Sequence, residues 1–463
     1  MSFLKLLFMV IGLSLCINDY ALAENHAKLN WIGHWKDEDK REQLVMEIRK
    51  EFEFLYPKVD VNLTFGKDLD APGKNRKWKH ANTIAQMIKS GNIIWDVIFL
   101  DFVVYNHVAE LLGDPDWGKK HILDVSDMMW FRQSQKDFIV NTSHYREQTG
   151  GLLVGPYIEG FITCLWYNQE VARKTGIQVK ERKMTASEFI SYARQLADYN
   201  KKNNTSIPFI NLCVWNRLEI LFEYLYKSLC PDPQFAIEQS YSQAKEKLFL
   251  ETLLIFEELA RYQPLLNADY KTLEHDQWKH QFLDGGGLFI VAGTYMYSHF
   301  LGIDPVKFKN IIPIIPPFIN RENGLVGAYL PTFAVMKNSH EREAAINLLK
   351  LWSRPRMAEK WIHYTKNPTG LKGHLHGLTS KNMGDDVYTR FIMDMTEQYS
   401  NMPMRYYRAL TYIFGENNVV TPNELRSKLA MILAGKLTAR QYYDDVTRRF
   451  HLNHAQEKKH GVQ

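Results

Sequence analysis

Cysteine is scarce in this chain, which has four in 463 residues. Cys16 lies near the amino terminus, and beyond it only Cys164, Cys213 and Cys230 remain, an odd number that leaves at least one thiol outside any disulfide. Cys213 and Cys230 could close a modest disulfide loop. The alternative is that both are buried free thiols, as we expect for Cys164, because cysteine in an apolar run behaves as a small hydrophobe. The sequence leaves the two alternatives open.

Motifs of common nucleotide-binding and hydrolytic enzymes are also missing. The chain has no G-x-x-x-x-G-K-[ST] phosphate loop and no G-x-S-x-G nucleophile elbow. The run Gly285–Gly287 lacks the spacing of a dinucleotide-binding fingerprint and is typical of a turn between a helix and a strand. His340 and Glu341 begin a zinc-protease pattern, but Ala344 stands where the second histidine would be.

Spacings typical of metal ligands are lacking as well. His275 and His280, and likewise His374 and His376, could bind a metal in principle. Neither pair has a cysteine or carboxylate beside it at ligand spacing, and scattered surface histidines explain them better. We therefore predict no bound metal and no cofactor.

The chain has neither a strong excess of charge nor a long apolar segment beyond residue 23. Its formal net charge is +5, and its Lys and Arg residues are interleaved with Asp and Glu. A nucleic-acid partner requires a concentrated basic footprint, so we predict that none is bound. No segment beyond residue 23 is long and apolar enough to span a membrane.

The first 23 residues have the pattern of a secretory signal. A charged start precedes the apolar run Leu6–Ile17, and Ala21–Ala23 supplies the small residues of a cleavage site. We predict cleavage after Ala23 and export of the remaining chain. The alternative is a lipoprotein acylated on Cys16, but that processing favours a small residue where the chain has Leu15.

The chain after the signal alternates strand and helix patterns. Lys28–Trp35 and Val59–Phe65 alternate apolar and polar residues as strands do, and Asp37–Tyr56 carries a helical apolar stripe between them. A second helix, Trp78–Lys89, and an apolar strand, Ile93–Leu100, follow at once. Strand-helix-strand units of this kind predict a parallel sheet.

The stretch Gly151–Gly176 is the most informative in the chain. It begins as an apolar run, is interrupted at Gly155-Pro156, and resumes as a strand that turns into a charged helix after Asn168. A Gly-Pro step inside a buried strand costs ladder hydrogen bonds. It therefore predicts that the chain leaves one sheet there and enters another, with Tyr157 and Glu159 in the exposed gap between them.

The rest of the chain carries further helix and strand patterns. Predicted helices are Gln169–Thr175, one starting at Thr185–Glu188, Arg217–Leu229, Ser242–Tyr262 and Glu341–Trp352. Predicted strands are Ile207–Val214, Leu288–Ala292, Ile311–Phe318 and Phe333–Met336. From Asp385 the pattern is almost entirely helical and ends at Phe450, and we expect the polar tail 451–463 to be loose.

In their order, these elements resemble the solute-binding proteins of bacterial ABC importers, in particular the carbohydrate-binding group that includes maltose-binding protein. The resemblance extends from about Leu29 to Phe450. The segments that carry it are Phe52–Val61, Ser90–Asp101, Gly151–Gly176, Met184–Phe189, Phe282–Tyr295, Gly327–Ser339 and Leu425–Phe450. The chain departs from the family at Trp95, where proline is usual, and at Ala292, where asparagine is usual. Residues 371–404 have no recognisable counterpart.

The resemblance implies a ligand site built from aromatic, acidic and amide side chains. Its residues would be Trp35, Asp37, Asp101, Phe102, Tyr105, Tyr157, Glu159, Trp215, Asn216, Tyr295, Tyr406 and Tyr407. The chemistry of these residues agrees, because sugars present CH faces that pack on rings and hydroxyls that need fixed acceptors and donors. Asp101 also follows a predicted strand, at the edge where open α/β sheets place ligands.

The fold that the resemblance implies is α/β and two-lobed, a periplasmic-binding-protein fold with a ligand cleft between the lobes. A chain of this length is too long for one ordinary core. Lobe I would comprise 24–155 and 312–352, and lobe II 156–311 and 353–450, between the signal 1–23 and the tail 451–463. Hinge crossings are expected near Gly155–Tyr157, Ile312–Pro317 and Trp352–Arg356.

The implied function is capture of a sugar or oligosaccharide in the periplasm and its delivery, unchanged, to the membrane permease of an ABC transporter. The protein would act as a monomer and would not be an enzyme. One alternative is a non-sugar or anionic solute, with Arg217 or Arg405 as its partner. Another is an exported glycan-cleaving enzyme that uses Asp101 and Glu159 as paired carboxylates. A ligand-sensing partner of a membrane receptor would share the fold.

Overall fold

The computed structural model describes residues 26–34, 39–72, 76–137, 146, 149–214, 217–231, 235, 241–314, 327–330, 332–371, 386–399, 413–414 and 419–460. Eight strands and seventeen α-helices lie within these ranges. The strands are β1 (Ala27–Ile32), β2 (Val59–Thr64), β3 (Val97–Phe99), β4 (Glu159–Asn168), β5 (Phe289–Gly293), β6 (Ile311–Ile314), β7 (Gly327–Leu330) and β8 (Phe333–Val335).

The helices vary in length from a single turn to several turns. They are α1 (Asp39–Leu55), α2 (Arg76–Ser90), α3 (Phe102–Leu112), α4 (Trp117–His121), α5 (Met129–Ser134), α6 (Gln169–Thr175), α7 (Ala186–Asn203), α8 (Leu218–Leu229), α9 (Gln243–Leu259), α10 (His275–Leu283), α11 (Met296–Ile303), α12 (Pro305–Phe308), α13 (Arg342–Trp352), α14 (Pro355–Thr365), α15 (Val387–Tyr399), α16 (Pro422–Leu433) and α17 (Ala439–His460). None of the helices in the ranges given above combines the length and the apolar character needed to cross a bilayer.

The described residues divide into two compact units. Unit 1 holds those within 1–133, 146–156 and 331–353, and unit 2 holds those within 134–145, 157–330 and 354–463. The chain thus changes unit after Pro156 and after Ser353, inside two of the segments where crossings are predicted. It changes unit again after Leu330, later than the predicted Ile312–Pro317, because β6 pairs with β4 and stays in unit 2.

Unit 1 contains a four-stranded sheet in the order β2-β1-β3-β8. β1 pairs in parallel with β2, in a register that runs from Ala27 opposite Val59 to Ile32 opposite Thr64, and β1 also pairs in parallel with β3. β8 returns antiparallel to β3. The predicted strand-helix-strand units and their parallel sheet are therefore confirmed.

Three large aromatic side chains fill the core of unit 1. The rings of Trp31 and Phe333 lie 5.1 Å apart and meet nearly edge to face, and Trp352 lies 5.1 Å from Phe333. All three are fully buried. They join β1, β8 and α13, so burial of aromatic surface holds together segments that are far apart in the chain.

Asp96 connects three parts of unit 1 through its buried carboxylate. Its Oδ2 accepts the backbone N–H of Asn30 in β1 at 2.9 Å. Its Oδ1 accepts the hydroxyl of Ser339 at 2.7 Å and the backbone N–H of Glu341 at 3.3 Å, just before α13. One carboxylate thus satisfies three donors from two other segments, which makes it costly to remove.

Unit 2 is built around β4, which pairs antiparallel with three other strands. Its later residues pair with β5 and β6, and its first residues pair with β7. β4 begins shortly after the Gly155-Pro156 break, as predicted from the sequence. Gly155, just before the break, still belongs to unit 1. Glycine is required there because a Cβ would lie 2.3 Å from the carbonyl oxygen of Phe333 in the same unit.

Side-chain caps start the helices of unit 2 where the sequence predicts them. Asn168 ends β4 and accepts the backbone N–H groups of Glu170 and Val171, which begins α6. Thr185 and Glu188 form a reciprocal capping box at the start of α7. α7, α8, α9, α16 and α17 then cover β4 and β5 with a continuous apolar core, which includes Phe222 and Phe249 at 5.6 Å.

Two predicted elements differ from the structure. Ile207–Val214 is not a strand, since only Ile210 forms isolated bridges there. The reason lies in Asn267, whose side chain accepts the N–H of Leu212 at 2.6 Å and donates to its carbonyl at 2.9 Å, replacing a strand partner. The last helix continues past Phe450 because no glycine or proline interrupts it before its end.

The three cysteines beyond Cys16 are buried and form no disulfide in the described part of the chain. Cys164 lies in β4, and burial raises the pKa of its thiol well above the ordinary value. Cys213 and Cys230 are likewise buried, and the Cys230 thiol donates to the carbonyl oxygen of Tyr226 at 3.4 Å. Of the two alternatives for Cys213 and Cys230, the structure therefore has buried free thiols.

Replacing Asp96 by alanine should destabilise unit 1 strongly. The change leaves three partly buried donors without their acceptor, so we expect the free energy of unfolding to fall by about 2 to 3 kcal/mol. Urea denaturation measures this. Asp127→Ala is the matched control, because the Asp127 carboxylate is 90% exposed and pairs only with Arg132 among the described residues. Equal stability of the two variants would contradict the role given to Asp96.

His80 should make the fold sensitive to acid. It is fully buried in α2, and its Nε2–H donates to the carbonyl oxygen of Phe99 at 2.7 Å. Burial lowers the pKa of His80 from 6.5 to about 4. Between pH 6.5 and pH 4, His80 binds a proton in the unfolded chain but not in the folded chain. The free energy of unfolding therefore falls as the pH drops through this range, by about 3 kcal/mol in total.

His80→Gln tests this expectation, because glutamine has an N–H donor of similar reach but does not titrate in this range. Thermal melting from pH 8 to pH 4 should show a shallower loss of stability in the variant than in the parent protein. An identical acid dependence of the two proteins would show that His80 does not contribute.

Candidate functional site

A pocket of about 260 Å³ opens in unit 2 beside the end of β5. Its lining combines aromatic rings, a guanidinium, an imidazole and small apolar side chains. The lining residues are Arg217, His275, Trp278, Val291, Ala292 and Tyr295. All of them belong to unit 2, and they come from the residue before α8, from α10, from β5 and from the turn after β5.

The turn after β5 brings Tyr295 to the pocket. Thr294 holds this turn, since its N–H donates to the carbonyl of Ile162 in β4 at 2.8 Å and its hydroxyl accepts the N–H of Ile162 at 3.3 Å. The same hydroxyl donates to the side-chain oxygen of Asn367 at 2.6 Å. Thr294, the residue before Tyr295, is thus held by three hydrogen bonds within unit 2.

Gly293 allows the ring of Tyr295 to fold back over the strand end. A Cβ at position 293 would lie 2.2 Å from the ring, far inside contact distance. The ring also meets Phe161 at 5.9 Å and His299 at 6.3 Å, both nearly edge to face. Any larger residue at position 293 would therefore push the ring out of its present position.

α10 supplies the opposite aromatic group, Trp278. Its indole N–H donates to the carbonyl of Asn211 at 3.1 Å, and the side chain is only 5% exposed. The indole donor is therefore used within the fold, and the ring offers the pocket an apolar surface. His275, one turn earlier, lies 5.4 Å from Trp278 and 6.1 Å from His299, measured between ring centroids.

His275 is an uncharged imidazole at neutral pH. Burial, followed by the charges of Lys279 and His299, lowers the pKa of His275 from 6.5 to about 4, against the opposing effect of Asp276. It therefore has one hydrogen-bond donor and one acceptor at pH 7. Among the described side chains no group of three His, Cys, Asp or Glu could hold a metal ion.

Arg217 brings the permanent positive charge to the pocket. Its Nη1 lies 3.8 Å from Oε1 of Glu219, longer than a hydrogen bond. The same carboxylate accepts two short hydrogen bonds, of 2.9 Å and 2.7 Å, from the guanidinium of Arg426. Glu219 is thus held mainly by Arg426, in the bidentate geometry that gives the strongest arginine–carboxylate pairs.

Of the predicted site residues, Asp101, Phe102 and Tyr105 lie in unit 1. Asp101 is buried, and its Oδ1 caps α3 by accepting the N–H of Val104 at 2.7 Å. Phe102 begins the same helix and is half-buried. Tyr105 is 4% exposed and packs on Trp117 at 5.1 Å, so it offers little surface to a ligand, and burial raises the pKa of its hydroxyl.

Tyr157, Glu159 and Tyr295 lie in unit 2. Tyr157 and Glu159 are fully buried at the start of β4, so the prediction that they are exposed is wrong. The carbonyl of Tyr157 accepts the N–H of Gly370 at 3.0 Å, which ties this segment to the chain after α14. Of these three, only Tyr295 lines the pocket.

Six predicted site residues lie outside the described part of the chain. They are Trp35, Asp37, Trp215, Asn216, Tyr406 and Tyr407. Trp215 and Asn216 directly precede Arg217 in sequence.

Besides the apolar Val291 and Ala292, the lining residues Trp278 and His275 were not recognised from the sequence as ligand-binding residues. Trp278 lies in the middle of a helical pattern, where a tryptophan indicates core packing equally well. His275 stood out only as a scattered histidine. Both reach the pocket because α10 contacts Asn211 and His299 of α11, and such long-range contacts leave no local pattern. From the sequence we proposed Arg217 only as the partner of an anionic solute.

Comparison with known proteins shows similarity of fold and no close relative in sequence. No family model matches the chain, and no curated protein matches its sequence. The GacH receptor of Streptomyces glaucescens, solved unliganded and in complex with acarbose, is 12% identical, with a TM-score of 0.60 over 91% of this chain and 96% of its own.

Two further solved structures give the same result. RafE from Streptococcus pneumoniae, in its apo form, is 13% identical, with a TM-score of 0.61 over 92% of this chain and 97% of its own. Maltose-bound MalE3 of T. maritima is 13% identical, with a TM-score of 0.60 over 92% of this chain and 99% of its own. The chain therefore has the α/β periplasmic-binding-protein fold, and the predicted fold class is confirmed.

Gly293→Ala should displace the ring of Tyr295. The added methyl group overpacks the strand end, and we expect the free energy of unfolding to fall by about 1 to 3 kcal/mol, measured by urea denaturation. Gly302→Ala is the matched control. Gly302 lies in α11 with open space around it, so alanine there should be neutral or stabilise by up to about 1 kcal/mol. A neutral Gly293→Ala would contradict the close packing described here.

Proposed function

We propose that this chain is an exported solute-binding protein that captures a sugar or oligosaccharide and delivers it, chemically unchanged, to the permease of an ABC importer. The observation that carries the proposal is the pocket at the end of β5. It joins the ring of Tyr295, the indole of Trp278 and the guanidinium of Arg217 in one concave surface.

The chemistry of this surface suits a pyranose ring. The apolar CH face of a sugar gains from packing on aromatic rings, and Tyr295 and Trp278 supply two of them. The sugar hydroxyls need hydrogen-bonding groups in fixed positions, which Arg217, His275 and the hydroxyl of Tyr295 supply. A volume of about 260 Å³ lies just below the roughly 300 to 1,000 Å³ of pockets that take drug-sized ligands, which suits one sugar unit.

The proteins that share this fold support the choice of ligand class. GacH has been solved in complex with acarbose, and MalE3 of T. maritima with maltose bound. At 12% and 13% identity these likenesses establish the fold, and the sugar ligand is carried over to this chain as part of the proposal.

The remaining parts of the proposal come from the sequence. Residues 1–23 would be a signal peptide that directs the chain to the periplasm, and they lie outside the described residues. The permease partner, the monomeric state and the closing of two lobes on the ligand at hinges are likewise predictions. The other predicted site residues, Asp101 and Glu159 among them, stay predictions in the same sense.

A thermal-shift screen tests the proposal. We expect the melting temperature to rise with at least one mono- or oligosaccharide, and not with amino acids or polyamines, because a ligand that binds only the folded state stabilises it by mass action. Tyr295→Ala should weaken that binding by roughly tenfold or more. Tyr199→Ala is the matched control, since Tyr199 is a partly exposed tyrosine of α7 outside the pocket.

Two outcomes would contradict this assignment. One is a shift with amino acids or polyamines and none with sugars. The other is equal sugar affinity of Tyr295→Ala and the parent protein.

The glycan-cleaving alternative is tested separately. It requires Asp101 and Glu159 as a catalytic pair. The Asp101 carboxylate caps α3, and the Glu159 side chain is fully buried. Incubation of the protein with the sugar that it binds should release no new reducing ends over many hours. Steady release of reducing ends that is lost in Glu159→Gln would show an enzyme instead.

A further inference from the structure

The polar groups that line the unit 2 pocket are mainly hydrogen-bond donors. The guanidinium of Arg217 has five N–H donors and no acceptor, and neutral His275 has one donor and one acceptor. The hydroxyl of Tyr295 can act as a donor or as an acceptor. The indole donor of Trp278 is already used by Asn211, and the other lining residues are apolar. Among the lining residues that the structure describes there is no carboxylate and no amide.

Two carboxylates close in sequence to lining residues, Glu219 and Asp276, are paired with cations of the protein, and Glu219 also lies 3.8 Å from Arg217. Both oxygens of Glu219 accept hydrogen bonds from Arg426, at 2.7 Å and 2.9 Å. Asp276 lies 2.7 Å from the ammonium of Lys279, and the hydrogen bond from this lysine lowers the pKa of the Asp276 carboxyl. Neither side chain lines the pocket, so neither supplies an acceptor to a ligand there.

A neutral sugar can accept from these donors, but its own hydroxyl protons meet few acceptors among the described lining side chains. Each hydroxyl is both a donor and an acceptor, and its proton needs an oxygen or nitrogen to receive it. A carboxylate has acceptors alone, and it matches the planar fork of a guanidinium in a bidentate pair. Besides burial, Lys279, His299 and Arg217 lower the pKa of His275 and Asp276 raises it, so basic groups outnumber acidic ones around this imidazole.

We infer that this pocket takes an acidic sugar, a uronic acid or an oligosaccharide that carries one, with its carboxylate bound by Arg217. The ring of the uronic acid packs on Tyr295 and Trp278. This inference rests on the proposed function and names the class of its ligand. Arg217 is the residue that determines specificity, and the aromatic groups supply affinity that acidic and neutral sugars share.

Isothermal titration with matched pairs of sugars tests the inference. The pairs are glucuronate and glucose, galacturonate and galactose, and digalacturonate and galactobiose. In at least one pair we expect the acidic member to bind at least tenfold more tightly than its neutral partner. The affinity of that acidic sugar should fall as NaCl is raised from 50 to 300 mM, because salt screens the ion pair.

Variants of Arg217 assign the preference to this side chain. Arg217→Gln should weaken binding of the acidic sugar by roughly tenfold to a hundredfold and binding of its neutral partner much less, so the preference for the acidic member should largely disappear. Arg217→Lys keeps the charge but loses the planar fork, so it should retain part of the preference. Arg261→Gln, which removes an exposed arginine after α9 that pairs with Glu258, should change neither affinity. Melting temperatures verify that each variant is folded.

The outcomes separate this inference from the proposed function. Equal affinity for both members of every binding pair would overturn the inference and leave sugar capture standing. An equal loss of both affinities in Arg217→Gln would overturn it in the same way. If no sugar of either kind binds, the proposed function fails, and the inference fails with it.

Discussion

The candidate site depends on the antiparallel pairing of β4 with β5. This register places Thr163 opposite Gly293 and Tyr167 opposite Phe289, so it determines where β5 ends. The turn that follows is fixed to β4 by Thr294, and Tyr295 comes directly after it. Because side chains alternate along a strand, a slip of one residue would turn the whole strand over and move this turn away from α10.

Elements that carry their own local signals were predictable from the sequence. The first parallel units follow from alternation and helical periodicity, and the start of α7 follows from the Thr185–Glu188 capping box. The break at Gly155-Pro156 was visible in the sequence, and the chain changes unit directly after Pro156. Glycine is needed at position 155 because the backbone of Phe333 approaches it closely. Tyr295 also carries a local signal, because it comes shortly after a buried strand that ends in a glycine.

The rest of the site could not be predicted because it depends on long-range contacts. Arg217, Trp278 and Tyr295 are far apart in the chain and meet only after α8, α10 and β5 have packed. Tyr105 shows the opposite case. It follows a strand end as a ligand-binding residue would, but packing on Trp117 buries it. In the same way Asn267 occupies the backbone groups of Leu212, so the apolar run Ile207–Val214 forms no strand.

The most direct test of the central claim, that a sugar is held at the end of β5 in unit 2, is amide hydrogen exchange followed by mass spectrometry with and without the sugar found by screening. Bound ligand should slow exchange in peptides that cover Gly293–Tyr295 and the first turn of α10, because it suppresses local opening there. Unchanged exchange in both segments at saturating sugar, with protection elsewhere in the chain, would contradict the account.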